Sequence, residues 1–277
     1  MSLEPIIVVD LFPKLERKLL ELLNSLTSTE WQKPTICPQW TVKDIVAHLL
    51  DGNLRRLSMG RDAHFGETPQ NITSYHELVA FLNRLNAEWI QAAKRLSPHV
   101  LIHLIEITSQ EVYDHLKVLD IHQPATFPVT WAGEEHSPIW FDIAREYTER
   151  WHHQQQIRVA VEKPGINEKE LYAPVLETFM RALPYTYRNV SARDETLITF
   201  HIVGEAGGTW HLLRKDSTWR LVRDALTAAQ SEVLIPQNIA WRIFTKGIDK
   251  TLAGQHTTIQ GDVELGREIL NMLSVMA

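Results

Sequence analysis

The spacing of apolar residues from Phe12 to about Glu162 is the feature that most limits what this chain folds into. Steps of three and four place side chains on one face of a helix, and helices carrying one apolar stripe each must bury those stripes against one another. After Phe12, the residues Leu15, Leu19, Leu22, Leu23 and Leu26 make the first stripe. A second runs through Val42, Ile45, Val46, Leu49, Leu50 and Leu57, with Thr41 as N-cap and Asp44 in an acidic variant of the capping box. Ser74 and Glu77 open a third helix carrying Leu78, Phe81, Leu82, Leu85 and Trp89. Ser97-Pro98 starts a fourth, with proline at the first helical position. Its pattern of Leu101, Leu104, Ile105, Val112 and Leu116 predicts an interruption near Ser109. Ser137-Pro138 opens a fifth through Trp140, Ile143, Ala144, Tyr147 and Trp151, and Lys163-Pro164-Gly165 stops it.

Beyond Pro164 the texture changes. One more helix is expected over 168–183, ending at Pro184. Short β-type runs follow at Leu197–Val203, Thr209–Leu213 and Trp219–Val222, separated by the turn signals Gly204–Gly208 and Asp216-Ser217. Pro236–Lys246 reads as helical, Thr257–Gln260 as a strand, and Gly261-Asp262 leads into a last helix with Leu265, Ile269, Leu270 and Leu273. The expected architecture is α+β with two domains: a helical bundle over 1–165 and a smaller α+β domain over 166–277.

Charge and cysteine content narrow the function. The 277 residues hold 28 Lys+Arg against 34 Asp+Glu, a net charge of −6. A sequence-blind grip on a phosphate backbone needs clustered positive charge, so no nucleic-acid partner is expected. A single Cys excludes an internal disulfide framework and every Cys-rich metal site. The opening MSLEPIIVVD carries an acid where a secretion leader wants positive charge. No run approaches the roughly 18–20 apolar residues of a spanning helix. A soluble, cytoplasmic chain with no membrane partner is the expectation, as monomer or homodimer.

Spacing on the fifth helix supplies the chemistry. Glu149 and His153 lie four apart, on one helix face, bordering the Trp140–Trp151 arc. A carboxylate and an imidazole are good ligands for zinc or a similar ion; they also make an ordinary surface salt bridge. His48 borders the apolar arc of the second helix, as a third ligand or as a satisfied histidine at the core's edge. Bundle metal sites collect donors from facing helices, and three protein ligands leave a coordination position open, the catalytic pattern. His152 competes as a ligand, with a wheel position pointing further away. Cys37 has no base near it in sequence and reads as a small buried hydrophobe.

These residues carry a family resemblance. Trp31, Pro34, Cys37 and the run Trp40-Thr41-Val42-Lys43-Asp44-Ile45-Val46-Ala47-His48-Leu49 resemble the "W..P..C..WtvkDvvaHL" segment of DinB-like metal-binding four-helix bundles, and more narrowly the mycothiol-dependent maleylpyruvate isomerase family. Glu149-Arg150-Trp151-His152-His153 is similar to that family's E-x-W-x-H metal motif. Gly207-Gly208-Thr209-Trp210 through Trp219, with Gly261-Asp262 before a final helix, resembles its sterol-carrier-like C-terminal domain. The resemblance implies a divalent metal, zinc, nickel or another first-row ion, on His48, Glu149 and His153. It also implies a small-molecule thiol, mycothiol, as cosubstrate of an isomerase or S-transferase. The family often has an acid shortly after the motif histidine, followed by an arginine; here Gln156 stands in the acidic place and Arg158 remains. Arg158 is then a candidate clamp for a substrate carboxylate, or a helix-surface salt bridge. Hydrolysis by a metal-ionised water is the neighbouring enzymatic possibility. A ligand-binding or stress-related scaffold is the possibility from another class.

Overall fold

The computed structural model describes residues 4–68, 74–225 and 227–275, with Tyr75 described for its backbone alone. Contacts sort them into two compact units: residues 8–120 with 149–165, and residues 4–7, 121–148 and 166–275. Among the described residues no helix is long and apolar enough to cross a membrane.

The first unit is helical. It holds α1 (Phe12–Asn24), α2 (Val42–Arg55), α3 (Tyr75–Ala93), α4 (Pro98–Leu116) and the second half of α5 (Ile139–Ala160). Its core gathers Leu19, Leu22 and Leu23 of α1, Ile45, Val46, Leu49 and Leu50 of α2, Leu101 and Ile105 of α4, and Ile157 of α5. Three helix starts follow the sequence signals. Thr41 and Ser74 each form a complete capping box, with Asp44 and Glu77, and the Ser97 side chain accepts from the Val100 N–H. The predicted break at Ser109 does not occur. Thr108 and Ser109 are buried, and both hydroxyls accept hydrogen bonds from Asn53 Nδ2 at 2.9 Å, so polar residues inside α4 are satisfied across the bundle without breaking the helix. A π-helical turn, Arg56–Arg61, extends α2.

In the second unit, α6 (Lys169–Met180) and the short α7 (Leu183–Thr186) precede a five-stranded sheet. The strands are β1 (Leu197–Val203), β2 (Gly208–Lys215), β3 (Thr218–Val222), β4 (Ser231–Pro236) and β5 (Thr258–Gly261), in order β3-β2-β1-β4-β5. Among the described residues only the β1–β4 pairing is parallel. Ile198, Phe200 and Ile202 of β1 are buried with Leu212, Val233 and Ile235, and Phe179 of α6 meets Phe244 of α8 (Gln237–Phe244) edge to face. Gly207 closes the β1–β2 turn, where a Cβ would stand 1.8 Å from the Ile202 carbonyl oxygen. Pro184 corrects the expected stop after α6: it lies in the first turn of α7, where a missing N–H costs nothing. The chain ends with α9 (Lys250–Gln255), β5, α10 (Val263–Arg267) and a 3-10 turn at Glu268–Asn271.

Candidate metal centre

Two helices of the bundle unit place the donors. In α2, the Thr41 N–H donates to Asp44 Oδ2 at 2.9 Å and Thr41 Oγ1 accepts from Asp44 N at 3.3 Å, so the helix start, and His48 two turns along, are set in register. Trp40 is pinned just before the cap. Its N–H donates to the Cys37 carbonyl at 3.0 Å, and its carbonyl accepts from Thr35 Oγ1 at 2.9 Å. Trp89 Nε1 donates to the Ala47 carbonyl at 2.8 Å, docking α3 beside His48.

On α5 the ligand turn is braced on both sides. Arg150 Nη2 donates to Asn53 Oδ1 at 2.6 Å, and Gln154 Nε2 donates to the Leu15 carbonyl at 3.1 Å. Trp151 is fully buried. Glu149, His152 and His153 therefore face a fixed direction. The His48 and His153 rings meet edge to face with centroids 4.8 Å apart, and Trp40 lies 4.8 Å from the first and 6.2 Å from the second. Glu149 Oε2 is 3.6 Å from His153 Nε2 and 3.7 Å from His152 Nδ1. Among the described residues, the donor atoms lying within 4.8 Å of one another belong to Glu149, His152 and His153. His48 stands outside that set, against the His153 ring. An ideal helical wheel turns His152 away from this face; its side chain nonetheless points back to Glu149, as i and i+3 residues do.

The donor set suits a divalent cation. His153 Nδ1 lies 2.8 Å from Gln156 Oε1, and an amide oxygen only accepts, so the ring proton belongs on Nδ1 and the Nε2 lone pair is left toward Glu149. Gln156 thus does at this position what a carboxylate does in many metal sites. Burial pushes the His153 imidazole down to about 3, helped by neighbouring His152, against the pull of Glu149 and Gln156. Burial, with His153, Arg55 and His152 beside it, holds His48 well below the usual imidazole range. Both rings are neutral at pH 7, the state that ligates. His48 Nδ1 is buried without a hydrogen-bond partner, a polar atom whose desolvation a cation would offset.

Two further residues are placed plainly. Arg158 Nη1 donates to the Pro164 carbonyl at 2.9 Å, Nη2 to the Lys18 carbonyl at 3.0 Å, and Nε to Gln154 Oε1 at 3.2 Å. These bonds tie α1 to the end of α5, and a clamp on substrate would have to release some of them. Cys37 is half-buried; burial pushes its thiol up, which keeps it protonated and poorly nucleophilic. Behind the site, Glu16 of α1 is pushed up to about 7, mainly by burial, with Arg150 and a Ser109 hydrogen bond opposing.

Residues 12–158 match the family described as the mycothiol maleylpyruvate isomerase N-terminal domain. Two solved structures are similar over almost the whole chain. One is a histidine-to-alanine variant of the mycothiol-dependent maleylpyruvate isomerase, at 13% identity and TM-score 0.54, covering 94% of this chain and 98% of that one. The other is the crystal structure titled as the mycothiol-dependent maleylpyruvate isomerase, at 13% identity and TM-score 0.51, covering 87% and 91%. At this identity the likeness concerns the fold, and it extends through both the helical and the sheet-bearing parts. No curated protein matches in sequence.

Proposed function

Because the chain belongs to the mycothiol maleylpyruvate isomerase N-terminal domain family, we propose that it is a metal- and thiol-dependent enzyme of isomerase or S-transferase type, acting on a small molecule. The observation that supports this reading is the edge-to-face meeting of the His48 ring of α2 with the His153 ring of α5, with Glu149 Oε2 3.6 Å from His153 Nε2 and Trp40 against the His48 ring. These three residues would hold a divalent ion, zinc or another first-row metal. Bound there, such an ion supplies the positive charge that ionises a coordinating thiol, whose free pKa is about 8.5. The low-molecular-weight thiol, mycothiol or a relative of it, is the cosubstrate.

The chain's own residues do the rest. His48 and His153 stay neutral through the physiological range and offer lone pairs. Gln156 keeps the His153 proton on Nδ1, away from the donor nitrogen. Trp40 walls the two rings on one side and limits water there. No protein nucleophile is required, which agrees with a protonated Cys37 as the single cysteine. Arg158 keeps the carboxylate-clamp role as part of this proposal, at the cost of its bonds to Lys18 and Pro164. The division of labour is a metal-binding bundle over 1–165 and a sterol-carrier-like domain over 166–277, in a cytoplasmic setting where thiols stay reduced.

Cobalt-substituted protein titrated with 2-mercaptoethanol tests the reading. A sulfur-to-cobalt charge-transfer band is expected to grow to saturation. Full cobalt occupancy with no such band would overturn the thiol-dependent chemistry and leave hydrolysis or ligand binding in its place.

A further inference from the structure

We propose that His152 is an additional protein donor of this centre, so that the resting site is closed by side chains. The inference rests on the proposed function, since it concerns the same ion.

The distances carry it. Ligands about 2.0–2.1 Å from a tetrahedral ion stand about 3.3–3.4 Å from each other. Glu149 Oε2 lies 3.7 Å from His152 Nδ1 and 3.6 Å from His153 Nε2, each within a few tenths of a tetrahedral edge. All three donor atoms fall within 4.8 Å of one another on a single helical turn. The two imidazole rings are 4.0 Å apart at their centroids, so they converge on one side of the carboxylate instead of diverging. His152 is nearly as inaccessible as a core residue, at 3% exposure. A simple surface salt bridge would leave it in solvent. His48, from α2, lies against the His153 ring outside that set, and would take the fourth corner as a bound ion draws its nitrogen in. A small thiol then reaches the ion only where the imidazole of residue 152 gives up its corner. Access of cosubstrate is thereby set by one side chain of the chain itself.

X-ray absorption on the zinc-loaded full-length protein counts the imidazoles without any mutation, and three are expected. Two would overturn the proposal. His152→Phe keeps a buried ring and removes the donor; His152→Ala serves if the larger ring disturbs packing. In either variant the imidazole count is expected to drop by one, and the affinity of the cobalt form for 2-mercaptoethanol to rise at least tenfold. An unchanged count with unchanged thiol affinity would show His152 to be only a partner of Glu149, and would overturn the proposal while leaving the metal reading intact. Failure of the wild-type protein to take up zinc or cobalt at all would instead remove the reading beneath it.

Discussion

Asn53→Ala is expected to destabilise the protein by about 3–5 kcal/mol, read as a fall in the urea midpoint with little change in slope. Asn53 is 1% exposed and sits at the centre of a polar network between α2, α4 and α5. Its Nδ2 donates to Thr108 Oγ1 and Ser109 Oγ, and its Oδ1 accepts from Arg150 Nη2. Truncation takes one hydrogen bond from a buried guanidinium and one from each of two hydroxyls, at about 1.5–3 kcal/mol for the charged group and about 0.5–1.5 kcal/mol for each hydroxyl. The effect reaches the candidate metal centre, because Arg150 directly follows Glu149 and its bond to Asn53 sets the rotation of α5 against α2. Metal affinity should therefore fall together with stability. Asn53→Asp keeps the acceptor for Arg150 and is expected to lose less. A loss below about 1 kcal/mol for the alanine variant would mean that the network does not brace the helix.

The metal-free protein is expected to lose stability as pH falls below about 6.5, by about 4 kcal/mol from His153 alone by pH 3. Its folded imidazole titrates at about 3, well below the 6.5 of an unfolded histidine, so below 6.5 the unfolded chain takes up protons that the folded chain refuses. The stability is complete above 6.5 and is lost on the way down to the folded value. His48 acts in the same direction. Glu16 acts in the opposite one: raised from 4.5 to about 7, it favours the folded state below 4.5 and loses that advantage as pH rises through 7. The decline from 6.5 to 4.5 is therefore shallow, and it steepens between 4.5 and 3. Glu16→Gln should steepen the upper segment, and His153→Phe should flatten the whole curve. Chemical denaturation across pH 3.5–7.5 reads both. A Glu16→Gln protein equally stable at pH 6.5 and 4.5 would contradict the burial of these imidazoles.

Local chemistry made the bundle legible in the sequence. Thr41 with Asp44, Ser74 with Glu77, and Ser97-Pro98 each mark a helix start through hydrogen bonds that close within three residues, and all three are observed. The closeness of Glu149 and His153 is readable for the same reason, as the two are one turn apart. What escaped depends on partners far along the chain. Strand β4 is defined by parallel pairing with β1, some thirty residues earlier, and its short run Ser231–Pro236 carries no turn chemistry that announces it. The continuity of α4 past Ser109 depends on Asn53, more than fifty residues away. For Arg158 the sequence leaves an anion clamp and a helix-surface salt bridge both open, and its carbonyl partner at Lys18 is 140 residues distant. The approach of His152 to Glu149 is illegible for a different reason. A helical wheel fixes where a Cβ projects but says nothing of the torsions that swing an imidazole back over the preceding turn.

Metal analysis of tag-free protein tests most directly whether His48 of α2 and the Glu149–His153 pair of α5 hold one divalent ion together. About one equivalent of a first-row divalent ion is predicted for the wild type and for a His103→Ala control, and essentially none for the His48→Ala, His153→Ala double variant. Full metal retention in the folded double variant would contradict the account.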